Sequence, residues 1–261
     1  MSGTSLMEAA LELAEITGAN AMRYFRTVID VETKKDGSPV TIADRSSEQL
    51  AREWIEARLP SDGILGEEFG TVRPDAPRRW IIDPIDGTKS FVRGVGFWGS
   101  LIAVAEGEDV LAGAASFPAI GETLAAAPGE GCWWNGGPCS VSTVQDIASA
   151  TVLATDVAFK GHPDKRRGWL ALADVAALSR TWGDCVGYLL VATGRAEVMA
   201  DPFVSAWDVA ALMPAITEAG GVFTDWEGKP GAFGKSAVAT NAALADVVRR
   251  ILAGEPPQEV A

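Results

Sequence analysis

The chain has 261 residues with a hydrophobic fraction of 48%, and its 22 basic and 35 acidic residues give a net charge of −13. This hydrophobic fraction argues against a disordered chain, and the length is sufficient for one large domain or two packed halves. The acidic charge disfavours nucleic acid as a partner. The apolar stretches are too short to cross a membrane, and the N-terminal residues lack a signal-peptide pattern. We therefore predict a cytoplasmic protein without a membrane partner.

Histidine and cysteine usage points away from nucleophilic triads and zinc. His162 is the only histidine, and it stands in a polar stretch that is typical of the exposed start of a helix. The cysteines are Cys132, Cys139 and Cys185, an odd number without a CxxC pair, and we expect them to be reduced thiols. Carboxylates and a metal ion are therefore the expected source of chemistry.

The N-terminal part of the chain is predicted to form two amphipathic helices. The first begins with a capping box of Ser5 and Glu8 and carries an apolar stripe that extends to Tyr24 and Phe25. Residues 35–40 are predicted to form a turn and the arm of a hairpin. The second helix is predicted over residues 41–59, and its inward side chains are Leu50, Trp54 and Ile55.

Residues 80–91, which read WIIDPIDGTKSF, are the most informative stretch of the chain. A short apolar run predicts a buried strand that ends at Asp83. Pro84 fixes the backbone between Asp83 and Asp86, and the following Gly87 allows a sharp turn, so the two carboxylates are expected to face one point. Such charges repel each other in a half-dry pocket unless a proton or a cation lies between them. Ligands that are all oxygen favour Mg2+ over zinc.

Further acidic residues are candidates for the same site. Glu67 and Glu68 lie between two glycines, which indicates a tight backbone path, and Glu67 is the candidate third carboxylate. Asp44 falls in the first turn of the second predicted helix, and Asp208 falls in the first turn of a later one. Each of these two positions also suits a surface acidic residue that interacts only with the helix dipole, so both interpretations stay open here.

After residue 91 the sequence becomes rich in strands. Predicted strands at 98–105, 110–117, 122–126 and 132–134 form an antiparallel meander. From residue 151 strands alternate with helices, the strands at 152–155, 179–182, 196–200, 222–225 and 237–240 and the helices at 165–178, 185–193, 207–219 and 242–252. Because no repeat or linker interrupts the chain, we predict two packed halves, residues 1–146 and residues 147–261.

Separate motifs then carry a resemblance to a known family. They are KKDGSPVTIAD at 34–44, GEE at 66–68, WIIDPIDGT at 80–88 and WDVAALMPAITEAGG at 207–221. In this order and spacing the chain resembles the inositol monophosphatase family of Mg2+-dependent, lithium-sensitive phosphatases. The resemblance covers nearly the whole chain and implies an α/β fold, a layered αβαβα sandwich of the inositol monophosphatase and fructose-1,6-bisphosphatase type. It also implies a homodimer and a small phosphorylated metabolite as substrate.

The resemblance further implies which residues form the site. The metal ligands would be Glu67, Asp83, the carbonyl of Ile85, Asp86 and Asp208. Asp44 and Thr88 would orient the attacking water, often with a further Mg2+, so two or three Mg2+ ions are expected per active site and the catalytic residues are Asp44, Glu67 and Thr88. In this scheme Asp83 bridges two ions, one that activates the water and one that neutralises the phosphate and stabilises the leaving alkoxide.

Substrate contacts are expected from both halves of the chain. Gly87, Thr88 and Ser90 lie where a short helical turn at 89–92 begins, and free amides there are expected to bind phosphate oxygens beside Asp83, Ile85, Asp86 and Asp208. In the second half the candidates are Arg180, Asp184 and Asp201. An acidic residue suits a substrate with an ammonium or imidazolium group, although inositol hydroxyls also bind Asp. Arg180 has structural and dimer-contact alternatives.

Two stretches resemble one branch of that family. RTWGDCVGYLLVATGRAEVMADP at 180–202 looks like the histidinol-phosphate phosphatases, as does DGTKSF at 86–91, where many inositol phosphatases carry DGTTNF. The resemblance implies hydrolysis of histidinol phosphate to histidinol and phosphate in histidine biosynthesis. The alternatives are an inositol-1-monophosphatase of broad specificity and a non-catalytic regulatory binding protein on the same fold.

Overall fold

The protein is described by a computed structural model that covers residues 2–35 and 37–255. Met1, Asp36 and residues 256–261 lie outside this description. One position of the predicted turn at 35–40 and the end of the predicted second half are therefore outside it as well. None of the described helices has both the length and the apolar character that a membrane span requires.

The described residues form helices and strands along the whole chain. The helices are α1 (Gly3–Met22), α2 (Ile42–Arg58), α3 (Thr88–Phe91), α4 (Pro163–Val175), α5 (Asp184–Ala192), α6 (Ala206–Val209), α7 (Met213–Glu218) and α8 (Ala245–Leu252). The strands are β1 (Val31–Thr33), β2 (Pro39–Thr41), β3 (Gly63–Gly66), β4 (Gly70–Val72), β5 (Arg78–Asp86), β6 (Gly99–Glu106), β7 (Asp109–Phe117), β8 (Glu122–Ala127), β9 (Gly131–Trp134), β10 (Gly137–Pro138), β11 (Thr151–Leu153), β12 (Leu178–Arg180), β13 (Val198–Asp201), β14 (Gly221–Thr224) and β15 (Ala237–Asn241).

An eight-stranded sheet in the order β10-β9-β8-β7-β6-β5-β3-β4 contains the predicted meander. The predicted buried strand is β5, which pairs antiparallel with β6 and parallel with β3. Its side chains alternate, so Trp80 and Ile82 pack against the N-terminal helices and Ile81 packs into the interior between the sheets. The pairing of β5 with β6 shifts register between Asp83 and Asp86, and such an irregularity redirects side chains at the end of a strand.

The second sheet has five strands in the order β12-β11-β13-β15-β14. β11 runs parallel to both neighbours, whereas β15 is antiparallel to β13 and β14. The predicted seam near residue 146 falls between the last strand of the first sheet and the first strand of the second. The halves share their largest hydrophobic cluster, and the domain boundary itself stays a prediction.

The elements stack in five layers. α1 and α2 cover the outer face of the eight-stranded sheet, and α5, α6 and α7 pack between the two sheets. α4 and α8 pack together on the far face of the five-stranded sheet. The predicted αβαβα sandwich is therefore confirmed. Asp83 and Asp86, the carboxylate candidates on β5, lie against residues of the second half of the chain, which supplies the middle layer.

Some local predictions are wrong, and the N-terminal helices show why. The N-cap of α1 is Ser2, whose hydroxyl accepts a hydrogen bond from the Ser5 amide at 3.2 Å, so the predicted Ser5–Glu8 capping box does not start the helix. The helix ends at Met22, before Tyr24 and Phe25. Leu50 is 37% exposed rather than inward, because it lies about 100° around α2 from the buried Ala51.

The predicted helix at 207–219 is two short helices, α6 and α7. Pro214 stands at the start of α7 and has no amide hydrogen to donate into a preceding turn, so a continuous helix cannot pass through it. Gly220 follows α7 with a φ of 86°, the left-handed conformation that commonly terminates a helix.

Candidate active site

Three carboxylates meet where β5 ends and α6 begins. One oxygen each from Asp83, Asp86 and Asp208 lies within 4.8 Å of the others. Asp83 is 2% exposed, and its Oδ1 accepts a hydrogen bond from the Ile85 amide at 3.0 Å. Asp83 and Asp86 lie close together in the sequence, separated only by Pro84 and Ile85, but Asp208 comes from the other half of the chain. We call this group the carboxylate cluster.

The second half holds the cluster through helix starts. Ser205 is the N-cap of α6, and its amide donates to Asp208 Oδ2 at 2.7 Å in a capping box. At the start of α5, the amide of Cys185 donates to Asp86 Oδ2 at 2.5 Å. Free amides at a helix start attract negative charge, so each helix orients one carboxylate of the cluster. Asp208 thus lies in the first turn of a helix, as the dipole interpretation expects, and this position is also compatible with a role as a metal ligand.

Burial makes the cluster electrostatically unfavourable when it is fully ionised. Burial, followed by the charges of Glu67, Asp86 and Asp208, raises the pKa of Asp83 well above its usual value. Burial also raises the pKa of Asp86, with Asp184 and Asp208 adding to it, and raises the pKa of Asp208 to about 7. Ionised carboxylates this close require a cation or protons between them. Because every donor is oxygen, the cluster fits a hard divalent cation.

Glu67 adjoins the cluster and is held by a lysine. Its charge raises the pKa of Asp83, while Lys34 Nζ lies 2.7 Å from Glu67 Oε1 and 2.6 Å from Glu68 Oε1. Burial lowers the pKa of Lys34, but the two carboxylates raise it by more, so the ammonium stays charged. The sequence pointed to Lys34 only as the start of a motif, since nothing local indicates that it reaches residues 67 and 68.

The loop that carries Glu67 rests on a buried glutamate of α2. Glu48 is 0% exposed and accepts hydrogen bonds from the amides of Glu68 at 2.7 Å and Phe69 at 3.1 Å. Arg52 pairs with Glu48 and also donates to the carbonyl of Gly70. The tight backbone path predicted at Gly66 has this cause, because a Cβ atom there would lie 2.0 Å from Glu48 Oε1.

Asp44 and Thr88 meet across the first half of the chain. Thr88 Oγ1 lies 3.2 Å from Asp44 Oδ1 and 3.0 Å from the carbonyl oxygen of Ile85. The other oxygen of Asp44 accepts hydrogen bonds from the amide of Thr41 at 2.8 Å and from its hydroxyl at 2.6 Å. Asp44 is 0% exposed, so its interpretation as a surface residue is wrong, although it does complete the capping box of α2.

A cavity of about 520 Å³ opens beside the cluster. Four carboxylates line it, namely Asp86, Asp184, Asp201 and Asp208. Asp201 accepts hydrogen bonds from Tyr188 Oη at 3.0 Å and from the amide of Thr155 at 3.1 Å. Burial raises the pKa of Asp184 to about 6, with the charge of Asp201 as the second cause. Two predicted substrate residues thus share one cavity with two predicted metal ligands.

Other predicted substrate residues lie apart from this cavity. Arg180 is exposed at the end of β12 and donates to the carbonyl of Ser179, so the structure does not bring it to the cluster. The amide of Ser90 donates to the carbonyl of Gly87 at 2.8 Å within α3 and is not free for phosphate. Gly87 has a φ of 88°, and a Cβ atom there would lie 2.6 Å from the carbonyl oxygen of Phe97.

The cavity also contains residues that sequence reasoning did not select. They include Lys89, Thr155, His162, Tyr188 and Phe203. His162 does precede a helix, as predicted, but it is half-buried and faces the cavity. Phe203, which also lines the cavity, is 64% exposed. No local sequence signal identifies these residues, because the fold alone brings residues 86–89, 155–162 and 184–208 together.

A layered αβαβα fold with an oxygen-ligand site at the end of a strand defines a class of metal-dependent hydrolases, and comparison with known proteins identifies the family. The sequence profile described as "Inositol monophosphatase family" matches residues 3–254. The chain therefore belongs to the inositol monophosphatase family, whose members are metal-dependent phosphoric monoester hydrolases that act on small phosphorylated substrates.

Individual relatives are similar over nearly their full length. A histidinol-phosphatase of Chlorobaculum parvum is 42% identical, with 91% of this chain and 93% of the relative covered. A histidinol-phosphatase of Mycobacterium tuberculosis is 39% identical over 97% and 100%. An inositol-1-monophosphatase of Rhizobium meliloti is 29% identical over 97% of each chain. Among solved structures, an inositol monophosphatase from Zymomonas mobilis has a TM-score of 0.85 at 28% identity, with 94% and 96% covered.

Proposed function

We propose that the protein is a Mg2+-dependent histidinol-phosphatase, which hydrolyses histidinol phosphate to histidinol and phosphate in histidine biosynthesis. The observation that carries this proposal is the acidic wall formed by Asp184 and Asp201 in the cavity that Asp86 and Asp208 also line. A substrate with a phosphate at one end and a cationic group at the other matches such a cavity. The identity to the histidinol-phosphatases named above supports the same assignment.

The electrostatics of the wall favour a cationic substrate. Burial and the nearby charge of Asp201 raise the pKa of Asp184, and the positive charge of Lys89 only partly opposes them. A bound ammonium or imidazolium group would offset this repulsion through charge-assisted hydrogen bonds. Neutral inositol hydroxyls would gain hydrogen bonds but would leave the charge in place.

The carboxylate cluster supports Mg2+ as the bound metal, because every donor in it is oxygen. We propose two or three ions per site, held by Glu67, Asp83, the carbonyl of Ile85, Asp86 and Asp208, with Asp44 beside a further ion. When bound, Mg2+ supplies positive charge that offsets the charge of the phosphate and lowers the pKa of water. Because Asp83 interacts with Glu67 as well as with Asp86 and Asp208, we expect it to be the least replaceable ligand.

Thr88 and Asp44 are proposed to orient the attacking water. The contacts of Thr88 Oγ1 with Asp44 and with the Ile85 carbonyl fix the position of the hydroxyl. Burial raises the pKa of Asp44, and a raised pKa favours uptake of a proton as the water attacks. The proposed catalytic residues are Asp44, Thr88 and Glu67. A contact of Gly87 with phosphate remains a prediction, whereas the Ser90 amide already donates to the Gly87 carbonyl.

The decisive experiment is phosphate release from histidinol phosphate and inositol 1-phosphate, each with Mg2+ and with a chelator. A Mg2+-dependent preference for histidinol phosphate is expected. Asp83→Asn should abolish release from both substrates, whereas Asp75→Asn in the exposed loop before β5 is the matched control and should not. Full activity of the Asp83 variant would contradict the proposed metal site.

An inositol-1-monophosphatase of broad specificity is the second candidate. The observation that favours it is the 29% identity to the relative of that name, and carboxylates such as Asp201 also accept hydrogen bonds from hydroxyl groups. Preference for inositol 1-phosphate would establish this candidate and overturn the assignment of the acidic wall. Absence of release from either substrate would instead favour the non-catalytic binding protein.

The homodimer and the cytoplasmic location remain predictions. Light scattering coupled to size exclusion would test the first, with an expected mass of twice 27.3 kDa. Fractionation of the cells that produce the protein would test the second.

A further inference from the structure

Cys132 and Cys139 face each other at the edge of the eight-stranded sheet. β9 and β10 pair antiparallel, with Pro138 opposite Trp133. The next pair in this register is Cys139 opposite Cys132, and the amide of Cys139 donates to the carbonyl of Cys132 at 3.0 Å. Both thiols are free, and their Sγ atoms are 3.1 Å apart.

This arrangement meets the backbone requirement of a disulfide. Opposed residues of a hydrogen-bonded antiparallel pair have Cα atoms about 5.5 Å apart, inside the range of about 4.4 to 6.8 Å that disulfides span. Since a sulfur–sulfur bond is about 2.05 Å long, closure requires the two sulfur atoms to approach by about 1 Å. Because this movement is small, we expect rotation of the two side chains to bring the sulfur atoms into bonding distance.

The two thiols differ in reactivity. Contact with Cys132 lowers the pKa of Cys139, and the guanidinium of Arg195 lowers it further against the effect of burial. Contact with Cys139, followed by burial, raises the pKa of Cys132. Cys139 is half-buried, whereas Cys132 is only 2% exposed. Because the thiolate is the reactive form, Cys139 is the thiol that an oxidant meets first.

We infer that Cys132 and Cys139 form a reversible redox pair that a peroxide oxidises to an intrachain disulfide. The Cys139 thiolate attacks one oxygen of hydrogen peroxide, the O–O bond breaks, and the departing hydroxide takes up a proton to give water and a sulfenic acid. The Cys132 sulfur then attacks the Cys139 sulfur, the S–O bond breaks, and the hydroxyl leaves with the Cys132 proton as a second water. Two thiols lose two electrons, one peroxide is reduced, and an external dithiol reverses the change by exchange.

This modification site is separate from the proposed active site. Neither Cys132 nor Cys139 lines the cavity beside the carboxylate cluster. Cys185 provides an internal comparison, since it is buried and its sulfur contacts the carbonyl oxygen of Asp86 at 3.7 Å rather than another sulfur. Cys185 is only 1% exposed, so it should resist the same oxidant.

The test is a thiol count on the intact protein. The protein is incubated with hydrogen peroxide, freed of the oxidant and unfolded, and its thiols are titrated while peptide mass spectrometry locates any crosslink. We expect three thiols before oxidation and one after it, a Cys132–Cys139 crosslink, and recovery of three thiols with dithiothreitol. The control C185S should fall from two thiols to none, and C139S should keep both of its thiols over the same time.

Four results would overturn the inference. They are retention of three thiols in the wild type, a crosslink that includes Cys185, a crosslink between chains, and conversion of Cys139 to a sulfinic acid without a crosslink. The wild-type result decides the matter by itself, so a variant that fails to fold does not affect it.

Discussion

Replacement of Glu48 by Gln tests whether a residue outside the carboxylate cluster positions Glu67, a proposed metal ligand. Glu48 is fully buried and anchors the loop after Glu67 through the amides of Glu68 and Phe69. In Glu48→Gln one acceptor oxygen becomes an amide nitrogen, so one loop N–H or the guanidinium of Arg52 loses its partner. Loss of a hydrogen bond to a charged group costs about 1.5 to 3 kcal/mol. Removal of one partner from a buried ion pair costs about 3 to 5 kcal/mol.

The assay is a Mg2+ titration of phosphate release, accompanied by an unfolding curve. Replacement of a residue that orients a metal ligand typically lowers metal affinity by about 10- to 100-fold, and we expect a shift of this size in the Mg2+ concentration at half-maximal activity. Activity at saturating Mg2+ should return to within a few-fold of the wild type, because Glu48 neither lines the cavity nor belongs to the carboxylate cluster. The matched control is Glu53→Gln, the same change at an exposed position of α2, which should leave the titration unchanged. If Glu48→Gln lowers stability but leaves the Mg2+ requirement as in the wild type, Glu48 does not position Glu67 and the reasoning is refuted.

Three further predictions concern stability, pH and specificity. Gly66→Ala places a Cβ atom 2.0 Å from Glu48 Oε1 and should lower the free energy of unfolding by about 1 to 3 kcal/mol in urea denaturation. In the control Gly137→Ala the new Cβ atom would lie 3.6 Å from the Trp134 carbonyl oxygen, and the free energy of unfolding should change little. Equal effects of the two substitutions would contradict the steric argument. The pKa values of Asp184 and Asp208 are raised to about 6 and about 7. The folded metal-free protein therefore holds protons that the unfolded chain releases near pH 4. Its stability should fall as the pH rises from about 4 to about 7. Urea curves at several pH values in a chelator should record this fall and curves in saturating Mg2+ should lack it, whereas rising stability in the chelator would contradict the pKa directions. Asp201→Asn should reduce kcat/KM for histidinol phosphate by at least 10-fold more than for inositol 1-phosphate, and an equal loss on both substrates would remove Asp201 from substrate recognition.

The local part of the site could be predicted because its cause is local. A buried strand followed by two carboxylates with Pro84 between them delivers Asp83 and Asp86 to one place, whatever the rest of the chain does. The antiparallel meander follows from periodicity and turn residues. The family follows from motifs that each lie in consecutive residues, and the resemblance to that family implied the layered fold. Burial of Trp80, Ile81 and Ile82 follows from the same apolar run.

Errors arose where a local pattern had two outcomes. A Ser–Glu spacing at 5–8 fits a capping box, but Ser2 three residues earlier also fits an N-cap and takes that position. The apolar positions at 207–219 fit one helix, yet Pro214 divides it. In each case both outcomes satisfy the pattern, and the contacts of the folded chain select between them.

Only the tertiary structure decided which distant residues meet. Lys34 reaches Glu67 and Glu68, and Glu48 of α2 accepts hydrogen bonds from the amides of the loop between β3 and β4. Likewise the acidic wall exists because the middle helices bring the second half of the chain against the end of β5. Such contacts depend on how whole layers stack, and no short stretch of sequence records that stacking. The sequence by itself thus determined the candidate ligands on β5 and the family, whereas the fold determined the residues that hold those carboxylates and line the cavity beside them.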